Sequence, residues 1–131
     1  LCERPVWITG IDHRIEPHLP TVRKDITSSV STALAAQGAG AADGPIEVAE
    51  IHAPFSFQEL IVTEALGLGS DTAVNPSGGA LAANPVMVTG LLRVIEAAKQ
   101  IMENGKRRTL AHTTSGPCLQ QNLVTILEGD E

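Results

Sequence analysis

Ile46-Glu-Val-Ala-Glu-Ile-His52, then Ser56 through Leu68, then Thr72-Ala-Val-Asn75 form the stretch that decides the fold. Residues 46–52 alternate apolar and polar side chains, the period-two pattern of a strand. Ser56 with Glu59 three positions on makes a capping-box pattern, and Ile61, Ala65 and Leu68 can face inward, which predicts a helix to about Leu68. Residues 72–75 predict a short strand entering the glycine-rich Pro76-Ser-Gly-Gly79. Strand, helix, strand within so few residues is the unit from which parallel sheets are built.

The alternation continues on both sides. Arg4 to Ile11 predicts a strand ending at the polar Asp12-His13-Arg14, and His18 to Asp25 a loop. Ile26 to Gln37 predicts a helix stopped by Gly38. Gly38-Ala-Gly-Ala-Ala-Asp-Gly44 follows a helix and precedes Pro45, so it reads as a flexible connector. A dinucleotide-binding turn needs the reverse order, strand before and helix after. A long helix is predicted from Asn84-Pro85 to Asn104, ahead of Gly105, and its first half, Val86 to Leu92, is apolar nearly all round, which predicts full burial. Arg107 to His112 and Leu123 to Glu128 are the last two strands, joined by a loop from Thr113 to Gln121. The order β-α-β-α-β-α-β-β predicts an α/β fold with a largely parallel sheet covered on both faces. The final connection lacks a helix, so the last strand is expected to be antiparallel.

The 131 residues fit one domain over 1–131, and the formal charge of −6 argues against nucleic acid as the main partner. Lys106-Arg107-Arg108, the one basic cluster, reads as a solvated turn. Aromatic residues are only 2%, Trp7, Phe55 and Phe57, so aliphatic side chains must fill the core. Cys2 and Cys118 do not make a disulfide scaffold, and no signal peptide or membrane-spanning run is visible, so a cytoplasmic location is expected. A chain that begins at Leu1 reads as a processed or excised piece.

In such a sheet, ligands gather beyond the carboxyl ends of the strands. Asp12-His13, His52-Ala-Pro-Phe-Ser56, Asn75 through Asn84, and His112 to Cys118 are expected there. Gly78 and Gly79 let backbone approach a ligand, and Asn84 at a helix start favours negative charge. Together they read as an oxyanion-binding site with candidate proton carriers. Each residue also has a plainer reading: Asn84 as a helix cap, His52 as a packed or wet polar side chain, Cys118 as an inert small one. His13, Glu16 and His18 sit in a proline-containing loop without a second ligand pair, and no metal is expected. There is no zinc signature, no phosphate-binding loop and no G-x-S-x-G.

The linked series His52-Ala-Pro-Phe-Ser56, Glu64-Ala-Leu-Gly-Leu68, Asn75-Pro-Ser-Gly-Gly79 and Asn84-Pro85 resembles the C-terminal half of the thiolase superfamily. It is most similar to the branch of lipid-transfer or sterol-carrier-type thiolases. The resemblance covers essentially the whole chain. It implies one half of a duplicated fold, a five-stranded mixed sheet with helices on both faces, in which the long apolar helix becomes a buried layer. It also implies an acyl-CoA substrate, with coenzyme A as part of that substrate and no separate cofactor. An N-terminal half or second subunit is expected to carry the nucleophilic cysteine, and a dimer is expected through that half.

By this resemblance His52 matches an oxyanion-hole position, and Asn75, Ser77, Gly78 and Gly79 match the substrate-binding glycine turn. The G-H-P segment that carries the family's activating histidine reads Ala83-Asn84-Pro85 here, and an amide cannot act as a base near neutral pH. His112 or Cys118 falls in the segment that carries the second base. Losing the activating histidine speaks against ordinary thiolysis and for retro-aldol cleavage of a β-hydroxyacyl-CoA. Some members of the branch cleave CoA-linked steroid side chains in this way with a small OB-fold and zinc-ribbon partner. An orthodox acyltransferase, or a non-catalytic lipid-CoA carrier, are the alternatives.

Overall fold

The computed structural model describes residues 3–130, and Cys2 lies outside them. Five strands, β1 (Val6–Ile15), β2 (Val48–Ile51), β3 (Ala73–Val74), β4 (Arg108–Ser115) and β5 (Gln121–Gly129), form one sheet in the order β1-β5-β4-β2-β3. β2 is parallel to β3 and β4, whereas β5 runs antiparallel to both its neighbours. Helices α1 (Val30–Gly38) and α2 (Ser56–Ala65) cover one face, α4 (Thr89–Asn104) covers the other, and a single turn, α3 (Gly79–Ala82), follows the glycine pair. The α/β class, the mixed five-stranded sheet and the antiparallel last strand are as the sequence predicts.

The two faces are filled differently. Ala35, Ala36 and Ala39 of α1 and Val62 and Leu66 of α2 pack on Ala49, Ile51, Leu110, Val124 and Ile126. Across the sheet, Ala97 and Ile101 of α4 pack on Ala111 and Leu127. With so many alanines, the helices come close to the sheet: a Cβ on Gly90 of α4 would sit 2.2 Å from Thr113 Cγ2. Ser29 caps α1 by accepting from Thr32 N, a bond of the kind that contributes about 1 kcal/mol.

Several boundaries differ from expectation, each for a local reason. β1 runs on through Asp12-His13-Arg14 to Ile15, because an edge strand with a wet side tolerates polar residues; Asp12 pairs with Arg14 along the strand. Ser56 is the first residue of α2 rather than its cap, and Glu59 turns away to accept from Asn75 Nδ2 at 2.7 Å. α2 ends at Ala65, and its fully buried row is Gln58, Val62 and Leu66, with Ile61 and Leu68 packed at the side. The 38–44 connector holds a 3-10 turn at Ala41–Asp43 and is tied down by Arg108, whose guanidinium donates to the carbonyls of Gly40, Ala41 and Gly44. Arg108 also pairs with Glu128 at 2.7 Å, so it is not a freely solvated turn residue.

The largest departure concerns α4. It begins at Thr89, five residues past Asn84, so Asn84 is not a helix start. Pro85 to Val88 form a turn closed by the Val88 N–H on the Pro85 carbonyl at 2.7 Å. Nor is the apolar segment buried: Met87 is 91% and Leu91 62% exposed. Thr89, Arg93, Ala97 and Ile101 face the sheet, while Leu91, Ile95 and Met102 form a second, outward stripe. On the same side of the sheet, Ile8, Ile11 and Ile15 of β1 lie beyond the reach of α4 and are also exposed.

Candidate functional site

The carboxyl ends of β2 and β3 bring together the segments 50–52, 75–79 and 84–93. His52 follows directly on β2, its N–H on the His112 carbonyl at 3.0 Å. Its Nδ1 accepts from the Thr114 N–H at 3.5 Å, so the neutral ring carries its proton on Nε2 and can donate there. The Asn84 side chain lies in hydrogen-bonding reach of the ring. Burial first, and the Arg93 guanidinium second, hold the His52 pKa below the ordinary histidine value. Asn84 Oδ1 accepts from Thr89 Oγ1 at 2.6 Å, which leaves the Asn84 amide group to donate. The contact with Asn84 favours the protonated ring, as an amide oxygen accepting from the ring N–H does, so two neutral polar groups lie side by side with the Asn84 NH2 turned to neither Thr89 nor the ring.

The glycine turn is fixed to β2 by its own polar groups. Asn75, at φ 48°, receives the Ile51 N–H on Oδ1 at 2.7 Å. Ser77 donates from Oγ to Glu50 Oε2 at 2.6 Å and from its N–H to Oε1 at 3.1 Å, and Gly79 N–H closes on Ser77 Oγ at 3.2 Å. Gly78 N–H bonds the Asn75 carbonyl. Gly79 is required here: it has φ 60°, and a Cβ would meet the Asn75 amide at 2.7 Å.

The pair beneath this turn is not among the residues that the sequence pattern points to. Glu50 of β2 and Arg93 of α4 are 0% and 2% exposed and meet at 2.8 Å, and Arg93 also donates to Ser77 Oγ at 3.0 Å. A signal was present: Glu50 stands inside the apolar run Val48–Ile51, and Arg93 falls at the four-residue spacing of Thr89, Ala97 and Ile101.

His112 and Cys118 do not join His52 and Asn84 in the same way. β4 extends to Ser115, so His112 lies inside the strand rather than in the loop after it. Its side chain points to the α1 face, fully buried, with Nε2 on Asn122 Oδ1 at 3.0 Å. Asn122 donates in turn to Ser31 Oγ at 2.7 Å and to the Leu119 carbonyl, and Ser31 donates to Glu16 Oε1 at 2.8 Å. Glu16 pairs with Arg23 at 2.6 Å and is buried. Burial pushes the His112 pKa down to about 4, so it is neutral, with Nδ1 unpartnered. Cys118, a partly buried free thiol, sits in the short β4–β5 turn at the same end of the sheet as His52, with the Arg23 guanidinium on its carbonyl. Two clefts, of about 420 and 400 Å³, lie at the opposite end of the sheet around Glu47, Arg107 and Asp130.

Among the described residues no group of histidine, cysteine and carboxylate side chains is arranged to hold a metal ion, and no helix is long and apolar enough to cross a membrane. No protein-family model matches the chain. Over 66 residues it is 39% identical to a beta-ketoadipyl-CoA thiolase of Pseudomonas knackmussii, an alignment of 49% of this chain and 16% of that protein. Over 85 residues it is 34% identical to a beta-ketoadipyl-CoA thiolase of Acinetobacter baylyi, covering 63% of this chain and 21% of that protein. The chain thus aligns with only a small part of these curated relatives. Its fold matches a monomeric SCP2-thiolase-like protein type 1 from Mycobacterium smegmatis with a TM-score of 0.69 at 18% identity, covering 94% of this chain and 29% of that one. The matched segments are thus similar to a part of these thiolases, and the five-stranded sheet with its helices has the thiolase-like fold.

Proposed function

We propose that the chain, one domain over residues 1–131, is completed by the rest of a thiolase fold and acts in the cytoplasm on acyl-CoA thioesters as a member of the lipid-transfer, sterol-carrier-type branch. The reaction proposed is retro-aldol cleavage of a β-hydroxyacyl-CoA. One observation carries it: Ala83-Asn84-Pro85 presents an amide, oriented by Thr89 beside a neutral His52. An amide cannot accept the proton that thiolate formation requires, but it can donate to an oxygen that gains charge.

The chemistry balances with a base and an oxyanion site alone. A base takes the β-hydroxyl proton, the Cα–Cβ bond breaks, and the β-carbon becomes a carbonyl. The electron pair of the broken bond passes to the thioester oxygen as an enolate, and a proton returned to Cα releases the shortened acyl-CoA. Asn84 and His52 donate to the enolate oxygen, each donor of this kind typically contributing about 10²–10³ in rate. Cys118 is the proton carrier at the right end of the sheet; His112 serves only if the α1 layer opens. The turn of Asn75, Ser77, Gly78 and Gly79 forms a wall for the CoA thioester, its polar groups being engaged in holding its shape.

The outward stripe of Leu91, Ile95 and Met102, with Met87 and the isoleucines of β1, supports a missing layer from an N-terminal half or second subunit, through which a dimer forms. A small OB-fold and zinc-ribbon protein is the proposed further partner. The test uses the complete assembly with a β-hydroxyacyl-CoA and, separately, a 3-ketoacyl-CoA. Cleavage of the first, reduced about 10²-fold or more by Asn84→Ala and by His52→Ala, supports the reading. Robust thiolysis of the second without cleavage of the first makes the protein an orthodox thiolase, and turnover of neither makes it a carrier.

A further inference from the structure

We infer that Arg93 is a positioning residue: with Glu50 and Ser77 it locks α4 and the glycine turn to the end of β2, so that Asn84 and His52 keep one mutual arrangement. Three segments meet in this lock. Glu50 lies two residues before His52, Ser77 lies in the turn, and Arg93 lies one helical turn after Thr89, the residue that orients Asn84. Both Thr89 and Arg93 are on the sheet-facing row of α4, so one rigid face holds Asn84 by a hydroxyl and the turn by a guanidinium.

Stability alone gives a poor reason for such a pair. Burying two charges costs desolvation that their attraction only offsets with good geometry, and apolar residues of like volume commonly pack as well. Here the geometry is incomplete, since Arg93 Nε is buried without a hydrogen-bond partner. What a pair of this kind supplies is direction. Glu50 Oε2 receives both Arg93 and Ser77, its Oε1 receives the Ser77 N–H, and the turn cannot slide along β2 without breaking these bonds together. The lock also sets the electrostatics of His52. The charged and titratable groups that act on that ring are Arg93 from α4 and, more weakly, His112 from β4, and the Arg93 charge disfavours its cationic form.

The inference rests on the acyl-CoA reading for its consequence in turnover but not for its geometry, and the two are tested separately. NMR on this chain follows the His52 ring through a pH titration and the amide signals of residues 77–84. In the charge-free pair Glu50→Leu/Arg93→Met, the His52 pKa is expected to rise by about half a unit or more and the amides of Ser77, Gly79 and Asn84 to shift. In Arg93→Lys, which keeps the charge and loses the planar fork, the amides shift while the His52 pKa stays within about 0.2 unit. Should the double variant not fold, Ser77→Ala, which leaves the ion pair, carries the test: the 79–84 amides move if the lock is real. A folded double variant, or Ser77→Ala, with His52 and those amides unchanged overturns the inference. In the complete assembly, Arg93→Lys is expected to lower kcat about tenfold with KM within about twofold. Shifted NMR signals with unchanged turnover leave the lock standing and sink the catalytic roles of His52 and Asn84.

Discussion

Replacing His112 by glutamine removes a fully buried titrating group of the sheet and flattens the acid side of the stability curve. The ring is 0% exposed and its pKa falls from the ordinary 6.5 to about 4, burial being the main cause. The folded state therefore holds it neutral, while the unfolded chain takes up a proton below 6.5. Stability from this group is complete above that value, is lost as pH falls toward 4, and changes no further below it. The full gap of about 2.5 units corresponds to roughly 3 kcal/mol at 1.36 kcal/mol per unit. Between about pH 7.5 and pH 5.0 the unfolded imidazole becomes almost wholly charged and the folded one about one-tenth so, which integrates to a loss of roughly 2 kcal/mol. Urea unfolding at the two pH values reads this directly. The wild-type chain loses the amount from His112 together with a smaller one of the same sign from His52. His112→Gln, whose amide can still donate to Asn122, loses roughly 2 kcal/mol less over the same interval. Equal losses in the two proteins refute the reasoning and place the acid sensitivity elsewhere.

Two further substitutions test the packing around the site. Gly90→Ala puts a Cβ at 2.2 Å from Thr113 Cγ2 and pushes α4 off β4, a cost of about 1–3 kcal/mol in urea unfolding. Thr113→Ala in the same chain removes the Cγ2 and Oγ1 clashes and recovers part of that loss, since alanine is the better helix former. Asn75→Ala leaves the Ile51 N–H without its acceptor and Glu59 without its donor, at about 1–3 kcal/mol in a thermal melt. The Ile51 amide then exchanges faster with solvent while those of β5 keep their protection.

How far the site could be read from the sequence depends on what each residue bonds to. His52 and the Asn75–Gly79 turn were legible because a strand end followed by a glycine-rich segment marks the ligand side of an α/β sheet. Asn84 was legible as a donor but not as to its setting. A proline at the next position suggested a helix start, whereas the chain makes a turn first and Thr89 takes up the asparagine side chain. His112 stood on the wrong side of a boundary. The strand continues three residues past it because Thr113, Thr114 and Ser115 pair with Leu123, Asn122 and Gln121 of β5, a long-range register that no local pattern contains. Glu50 and Arg93 are 43 residues apart and were invisible as a pair until α4 was laid on β2.

The sequence by itself determined the class, the number of strands and the antiparallel sense of the last one. Those follow from hydrophobic period and connection length, which are local quantities. The tertiary structure alone decided which faces are covered. A stripe such as Leu91, Ile95 and Met102 has the same pattern whether it packs on a sheet or faces outward, and in this chain the sheet is met by Thr89, Arg93, Ala97 and Ile101 instead. The physical reason is that burial belongs to pairs of surfaces: α4 has two apolar stripes, and the described chain supplies a partner for one.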